Sequence, residues 1–303
     1  MQPVQKPMLA LGLRLISAMT LSVMLLLVKL TGERGIWLPE TMFWRQLIPA
    51  TCIFGWLASR GELHRLRTAR PWVHARRAAI GTTGMFLTLG VVQILPLAES
   101  TVFGFTAPIF AVILSATVLR EHVGPWRWTA VLLGLAGVVV TAGFDHAHLP
   151  GFGVAVGVGA AFMVALVSIQ LRDLGRTEEP LTVVFYFSLF SIPALAPFLL
   201  FTNMHHDLAG WLMIAGIGVT GLIAQILMTA ALRIGSVASV IVMDYSQFGW
   251  ATLWGWLVFS HLPPATTWIG APVIISAGMI IAWREHLAAR ARSPHAISEP
   301  VNA

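Results

Sequence analysis

Charge is what this chain has least of. Only 11% of its 303 residues are Asp, Glu, Lys or Arg, against roughly 25% in a typical soluble domain. That scarcity excludes a water-soluble particle, because too little polar surface remains to clothe a chain whose hydrophobic residues make up 57%. It also excludes nucleic-acid binding as the reason for the net charge of +6, since a basic groove needs a soluble face to sit on. Cysteine is nearly absent. A lone Cys52 cannot form an intramolecular disulfide, and its apolar surroundings suit a small core or lipid-facing residue. Tyrosine occurs only at Tyr186 and Tyr245. No HEXXH pair and no phosphate-cradling glycine loop is present. The chain therefore reads as neither an enzyme nor an ATP-driven machine, with no cofactor and no metal.

Long hydrophobic runs are abundant, with a mean hydropathy of +0.79. At about 20 residues per crossing, the sequence predicts ten spans, near 8–30, 41–59, 78–95, 99–119, 127–144, 151–171, 181–201, 210–231, 236–259 and 266–283. They are helical, because unpaired backbone in lipid is too costly and no ten-residue alternation suggests a barrel. The first run is long for a signal peptide and no small-residue cleavage site follows it, so it is read as a span. Arginine sets the orientation. Arg60, Arg65, Arg67, Arg70, Arg76 and Arg77 fill the second loop, and Arg120, Arg176, Arg233 and Arg284 fall on the same side. Both termini are expected in the cytoplasm. Lys29 and Arg34 break the pattern, and Lys29 is expected to snorkel.

An internal repeat is visible. Residues 97–140 overlie 236–281, with Ser100 on Ser239 and Trp128 on Trp268. FWRQLIPA in span two likewise matches FYFSLFSIPA in span seven. Two halves of five spans must enter the membrane from opposite sides, and inverted repeats of this kind characterise secondary transporters. The division is residues 1–147 and 148–286, followed by a disordered cytoplasmic tail, 287–303.

The stretch FTAPIFAVILSATVLREHVGPWRWTAVLLGLAGVVV, with Pro108, Glu121, Trp126 and Gly137, resembles the EamA domain of the drug/metabolite transporter superfamily. The second half resembles the C-terminal EamA repeat through Tyr245, Gln247, Trp250, Gly255, Pro263 and Gly270. The resemblance implies a ten-helix carrier in the bacterial inner membrane that moves a small metabolite. His261 stands where that pattern has a glutamate, and Asp244 where it has uncharged polar residues.

Asp244 is the main candidate for chemistry. It sits about eight residues into span nine, or roughly 12 Å, close to the midplane of a ~30 Å core. A charge there costs about 2.5–3.5 kcal/mol on insertion scales. It reads as a proton or cation coupling site, as a ligand for a substrate amine, or as a structural carboxylate bonded to a neighbouring helix, for instance to Arg45. Arg45 cannot deprotonate and needs a partner: a substrate carboxylate, Asp244, or Glu99, unless it snorkels beside Trp44. Glu99 is a vestibule charge or complements a helix dipole. Gln93, Gln225, Gln247, Tyr186 and Tyr245 either orient a ligand or bridge helices, and Gln247 shares the Asp244 face. Trp44 offers stacking area. Pro108, Pro193 and Pro197 are candidate hinges. The expected partners are a small-molecule metabolite, the bilayer, and a proton or cation. A membrane-embedded receptor or assembly subunit without flux is the alternative reading.

Overall fold

The computed structural model describes residues 7–117, 124–142, 149–174, 177–202, 204–234 and 243–292. Glu121, Arg120, Arg176 and Ser239 lie outside them. Among the described residues every regular element is helical. The α-helices are α1 (Pro7–Glu33), α2 (Leu38–Ser59), α3 (Pro71–Ile94), α4 (Leu97–Gly104), α5 (Ala107–Thr117) and α6 (Pro125–Ala142) in the first half. They continue as α7 (Gly151–Leu174), α8 (Pro180–Leu195), α9 (Leu208–Ile234), α10 (Ser246–Phe259) and α11 (Ala265–Arg292). Short 3₁₀ turns occupy Leu63–Leu66, Ala196–Phe201 and Met243–Tyr245.

Seven helical stretches among the described residues are long and apolar enough to cross a membrane, and Trp128–Ala142 is a shorter apolar helix. The chain is a multi-pass integral membrane protein. Its outer surface supports this: Phe152, Leu200, Phe201, Leu212 and Leu257 are exposed, as lipid-facing side chains should be. The 22 residues of α2 reach about 33 Å at 1.5 Å per residue, but Glu40, Arg45 and Gln46 make it less apolar than the seven.

Proline sets several boundaries. Pro71, Pro125 and Pro180 each open a helix, where a missing N–H costs nothing and the fixed φ suits the first turn. The start of α3 at Pro71 lies seven residues before the expected edge of span three, so Arg77 belongs to a membrane helix rather than to a loop. Span four is broken. α4 ends at Gly104 and α5 restarts at Ala107, because Pro108 lacks the N–H and its ring excludes a continuous helix. Pro193 and Pro197 do the same to α8, which turns into the 3₁₀ segment Ala196–Phe201. α11 continues through Arg292, so 287–292 are helix rather than disordered tail.

The helices pair in a regular pattern: α1 with α9, α2 with α8, α3 with α7, α4 with α10, and α6 with α11. The largest apolar core joins Met24, Met42, Leu89, Leu95 and Phe103 to Leu195, Ile217 and Ala251. At the arginine-rich end, Arg65 pairs with Glu62 and Glu179, both at 2.8 Å, and Arg70 with Asp173 at 2.6 Å. The Arg65 guanidinium holds the Glu62 carboxyl below its ordinary range. At the opposite end, Asp207 Oδ1 accepts the Gly210 N–H at 2.8 Å, which holds its carboxyl low and caps α9. Lys29 does not snorkel. Its Nζ donates to the carbonyls of Val92 (3.2 Å) and Leu95 (2.9 Å), capping the end of α3.

The α6–α11 crossing is the tightest. A Cβ on Gly270 would meet the Gly137 carbonyl oxygen and the Thr141 backbone N, each at 2.8 Å. Backbone cannot move aside as a side chain can. Gly270→Ala is therefore expected to destabilise by about 1–3 kcal/mol, the usual cost of overpacking. The check is a melting curve of detergent-purified protein, with Gly12→Ala, which meets nothing within 4 Å, as the neutral comparison.

Candidate functional site

A cleft opens between α2, α8 and α9. Arg45, Gln46 and Pro49 line it from α2, Val184, Phe187 and Ser188 from α8, and Gly221, Leu222 and Gln225 from α9. Pro49 lies at the middle of α2, so the cleft sits at mid-depth. Its free volume is only ≈ 10 Å³, room for about one water and far below the ~300–1,000 Å³ usual for ligand pockets.

Arg45 enters from α2 with no carboxylate partner among the described residues. Its Nη1 donates to Met85 Sδ at 2.7 Å and Gln46 Oε1 at 3.2 Å, and its Nε reaches Met24 Sδ at 3.5 Å. Thioether sulfur is a weak acceptor, so the guanidinium is poorly satisfied. Gly221 lies alongside: a Cβ there would sit tightly, at 3.2 Å, against Met24 Sδ and in ordinary contact with Arg45. From the other end of the bundle, Arg77 on α3 lays its guanidinium 4.5 Å from the centroid of Phe187, a cleft residue. Its Nε and Nη1 are buried with no hydrogen-bond partner among the described residues.

Asp244 is elsewhere. It lies in the 3₁₀ turn before α10, and its carboxylate accepts from Nε of Arg14 on α1. The expected pairing with Arg45 is thereby corrected. α1 packs along both α9 and α10, so it brings its own cation to Asp244 first. The pair is largely enclosed, with side-chain exposures of 10% and 26%. The remaining candidates divide by contact. Gln225 lines the cleft. Tyr186 does not: its hydroxyl donates to the Leu66 carbonyl at 2.9 Å and its ring lies 4.8 Å from His74. Tyr245 packs at right angles to Phe105, 5.0 Å away, and against Gly278, its buried hydroxyl without a partner among the described residues. Gln93 donates to the Val28 carbonyl at 3.4 Å, bridging α3 to α1. Gln247 is half-buried on α10. Trp44 packs edge-on to Phe43 and Trp211. Glu99 is fully buried in the first turn of α4, accepting from Thr267 at 3.4 Å with His261 Nε2 at 3.9 Å.

Arg14, Arg77, Gln46, Phe187 and Ser188 were not among the expected site residues. Arg77 had a signal. Pro71 marks a helix start, which puts Arg77 on the second turn of α3 rather than among the loop arginines. Ser188 stands in the FYFSLF segment that matches the Arg45 segment, so the repeat itself pointed there.

A polytopic helical bundle with a small cleft at mid-depth defines an integral membrane protein. The model of the EamA-like transporter family matches residues 8–143 and 151–283, and the chain belongs to that family; it is a transporter-family protein and not an enzyme. The cleft-lining helices come from both matched segments. A riboflavin transporter of Vibrio cholerae is 30% identical, covering 81% of this chain and 83% of its own. The pseudopaline exporter CntI of Pseudomonas aeruginosa is 27% identical over 88% and 93%. An S-adenosylmethionine uptake transporter of Rickettsia bellii is 26% identical over 81% and 84%. A solved crystal structure at 19% identity superposes with a TM-score of 0.63, covering 95% of this chain and 100% of the other. It bears on the fold alone.

Removing one partner of a fully buried ion pair costs about 3–5 kcal/mol, whereas replacing both with apolar groups is often neutral. Because Asp244 keeps some exposure, Arg14→Leu and Asp244→Leu are each expected to destabilise by about 2–3 kcal/mol. The double variant should cost less than either single change. A double-mutant cycle on chemical denaturation in detergent checks this; simple additivity would show that the pair contributes nothing as a pair.

Proposed function

We propose that this protein is a secondary carrier. It moves a small polar or amphipathic metabolite, of amino-acid, nucleoside or adenosyl, or vitamin-like kind, across the bacterial inner membrane by alternating access. The observation that carries this reading is the mid-depth cleft between α2, α8 and α9, formed by residues of both family-matched segments. A binding site between two halves at the middle of the membrane is how such carriers are built. The names of the relatives, transporters of riboflavin, S-adenosylmethionine and pseudopaline, favour flux over simple binding.

The architecture in this reading is ten helices in two inverted halves, 1–147 and 148–286, with both termini cytoplasmic. The pairing pattern supports it. Exchanging the halves turns the α1–α9 contact into α3–α7 and leaves the α2–α8, α4–α10 and α6–α11 pairs unchanged, as a pseudo-two-fold requires. The cleft is narrower than a vitamin-sized ligand needs, so helices must part to admit one. The breaks at Phe105–Thr106 and after Pro193 are the places where backbone resistance to bending is lowest.

Asp244 is the coupling residue in this scheme. Its salt bridge to Arg14 ties α1 to the start of α10, and a proton on the carboxylate removes the charge that holds them. A gradient of one pH unit then supports about tenfold accumulation per proton, since 1.4 kcal/mol is a factor of ten.

The test uses proteoliposomes and labelled riboflavin or S-adenosylmethionine. Wild-type protein is expected to catalyse counterflow and to accumulate substrate when a pH gradient is imposed. Asp244→Asn should retain counterflow but lose the gradient-driven accumulation. Full accumulation in that variant would overturn the coupling role. Saturable binding with no flux would replace the carrier by a receptor.

A further inference from the structure

One cation lines the cleft, a second lies against a residue of its wall, and no described acid pairs with either. Arg45 lines the cleft and spends its donors on two thioether sulfurs and the side-chain carbonyl of Gln46. Arg77 is buried, has two N–H groups with no acceptor among the described residues, and lies over the ring of Phe187, a residue that lines the cleft. Their helices enter from opposite ends: Arg45 is seven residues into α2 and Arg77 six residues into α3, and their long side chains converge toward mid-depth. Among the described residues, Arg14 is paired with Asp244 and Lys29 is capped by backbone carbonyls. An unpaired buried guanidinium is expensive.

We infer that the cleft is an anion subsite: Arg45 and Arg77 together hold the carboxylate or phosphate of a soluble substrate, with Ser188 and the Gln46 amide beside it. This rests on the carrier reading and narrows its substrate to anionic or zwitterionic metabolites. Planar guanidinium forks match carboxylate and phosphate oxygens in bidentate geometry. The Gln46 Nε2, buried with no partner among the described residues, supplies a further N–H donor. Met24 and Met85 are soft placeholders that oxygen displaces readily, because sulfur is the weaker acceptor. The Phe187 ring keeps Arg77 in place without neutralising it.

The same oxygens could come from a lipid headgroup, so the experiment separates the sources. Purified protein is placed in nanodiscs of phosphatidylcholine, and its thermal unfolding is followed with inorganic phosphate, benzoate or succinate, at constant ionic strength made up with chloride. Phosphatidylglycerol nanodiscs without added anion form the second arm. The expected result is a saturable rise in melting temperature with at least one of the three soluble anions. Arg77→Gln and Arg45→Gln should weaken its apparent affinity by about tenfold or more, since hydrogen bonds to charged groups are the strong ones. Arg77→Lys, which keeps the charge and loses the fork, guards against a variant that fails to fold; it too should weaken binding. Arg60→Gln, at an exposed arginine stacked on Trp56, should change nothing.

An equal rise in all the arginine variants, a rise with phosphatidylglycerol alone, or no rise with any soluble anion would overturn the subsite. Counterflow of S-adenosylmethionine, which carries a carboxylate, that none of the soluble anions inhibits would also overturn it while leaving the carrier intact. Arginine-dependent anion binding without any flux would support the subsite and remove the carrier reading.

Discussion

A positive charge inside a hydrocarbon layer must be answered, and most of this structure is arranged around that demand. Arg14 is answered by Asp244, Lys29 by the last carbonyls of α3, and Arg284 by the faces of Trp126 and Trp283, 4.8 and 5.5 Å away. Each answer fastens helices to one another. Arg14 links α1 to the approach of α10, Lys29 links α1 to α3, and Arg284 links α11 to α6. Few charges are present, so each carries a large share of the polar interactions between helices. Arg45 and Arg77 differ from Arg14 in that what answers them is sulfur, amide and aromatic ring rather than carboxylate.

Apolar contact supplies the rest of the cohesion but less of the specificity. Lipid tails are as apolar as leucine, so helix association in a bilayer depends on close fit and on hydrogen bonds. Both are visible. Gly137 and Gly270 let the backbones of α6 and α11 nearly touch, and Ser17 donates to the Ala224 carbonyl at 2.8 Å to hold α1 against α9. Thr82 and Ser191 share a hydrogen bond of 2.7 Å between α3 and α8. The arginine-rich end is fastened at several points: Arg65, Thr68 and Arg70 all bind the segment between α7 and α8, and Arg70 also binds Asp173 at the end of α7.

The helical bundle was legible because hydrophobic runs of membrane length admit few alternatives, and because proline marks where they begin. The cleft was legible in part. Arg45 and Gln225 stand out as polar groups in apolar stretches, and both line it. Arg77 was masked by its neighbours, since five other arginines in the same region make it look like one more loop charge. Asp244 was conspicuous while its partner was not: Arg14 sits 230 positions away, and nothing local records which helix will lie against which. Tyr186 and Tyr245 misled because rarity draws attention, whereas their rings are used for packing and, at Tyr186, for a bond to a loop carbonyl. Lys29 misled because its long side chain can reach water, yet a nearer set of unpaired carbonyls holds it.

Cys52 has a practical consequence. It is the sole thiol of the chain, exposed on α2 and three residues beyond Pro49 of the cleft. A spin label or fluorophore delivered to unmodified protein therefore attaches at one known point, on the helix that carries Arg45. No cysteine has to be removed first. Movement of α2 relative to its surroundings can be followed by spectroscopy on the native sequence, without the substitutions that usually precede such measurements.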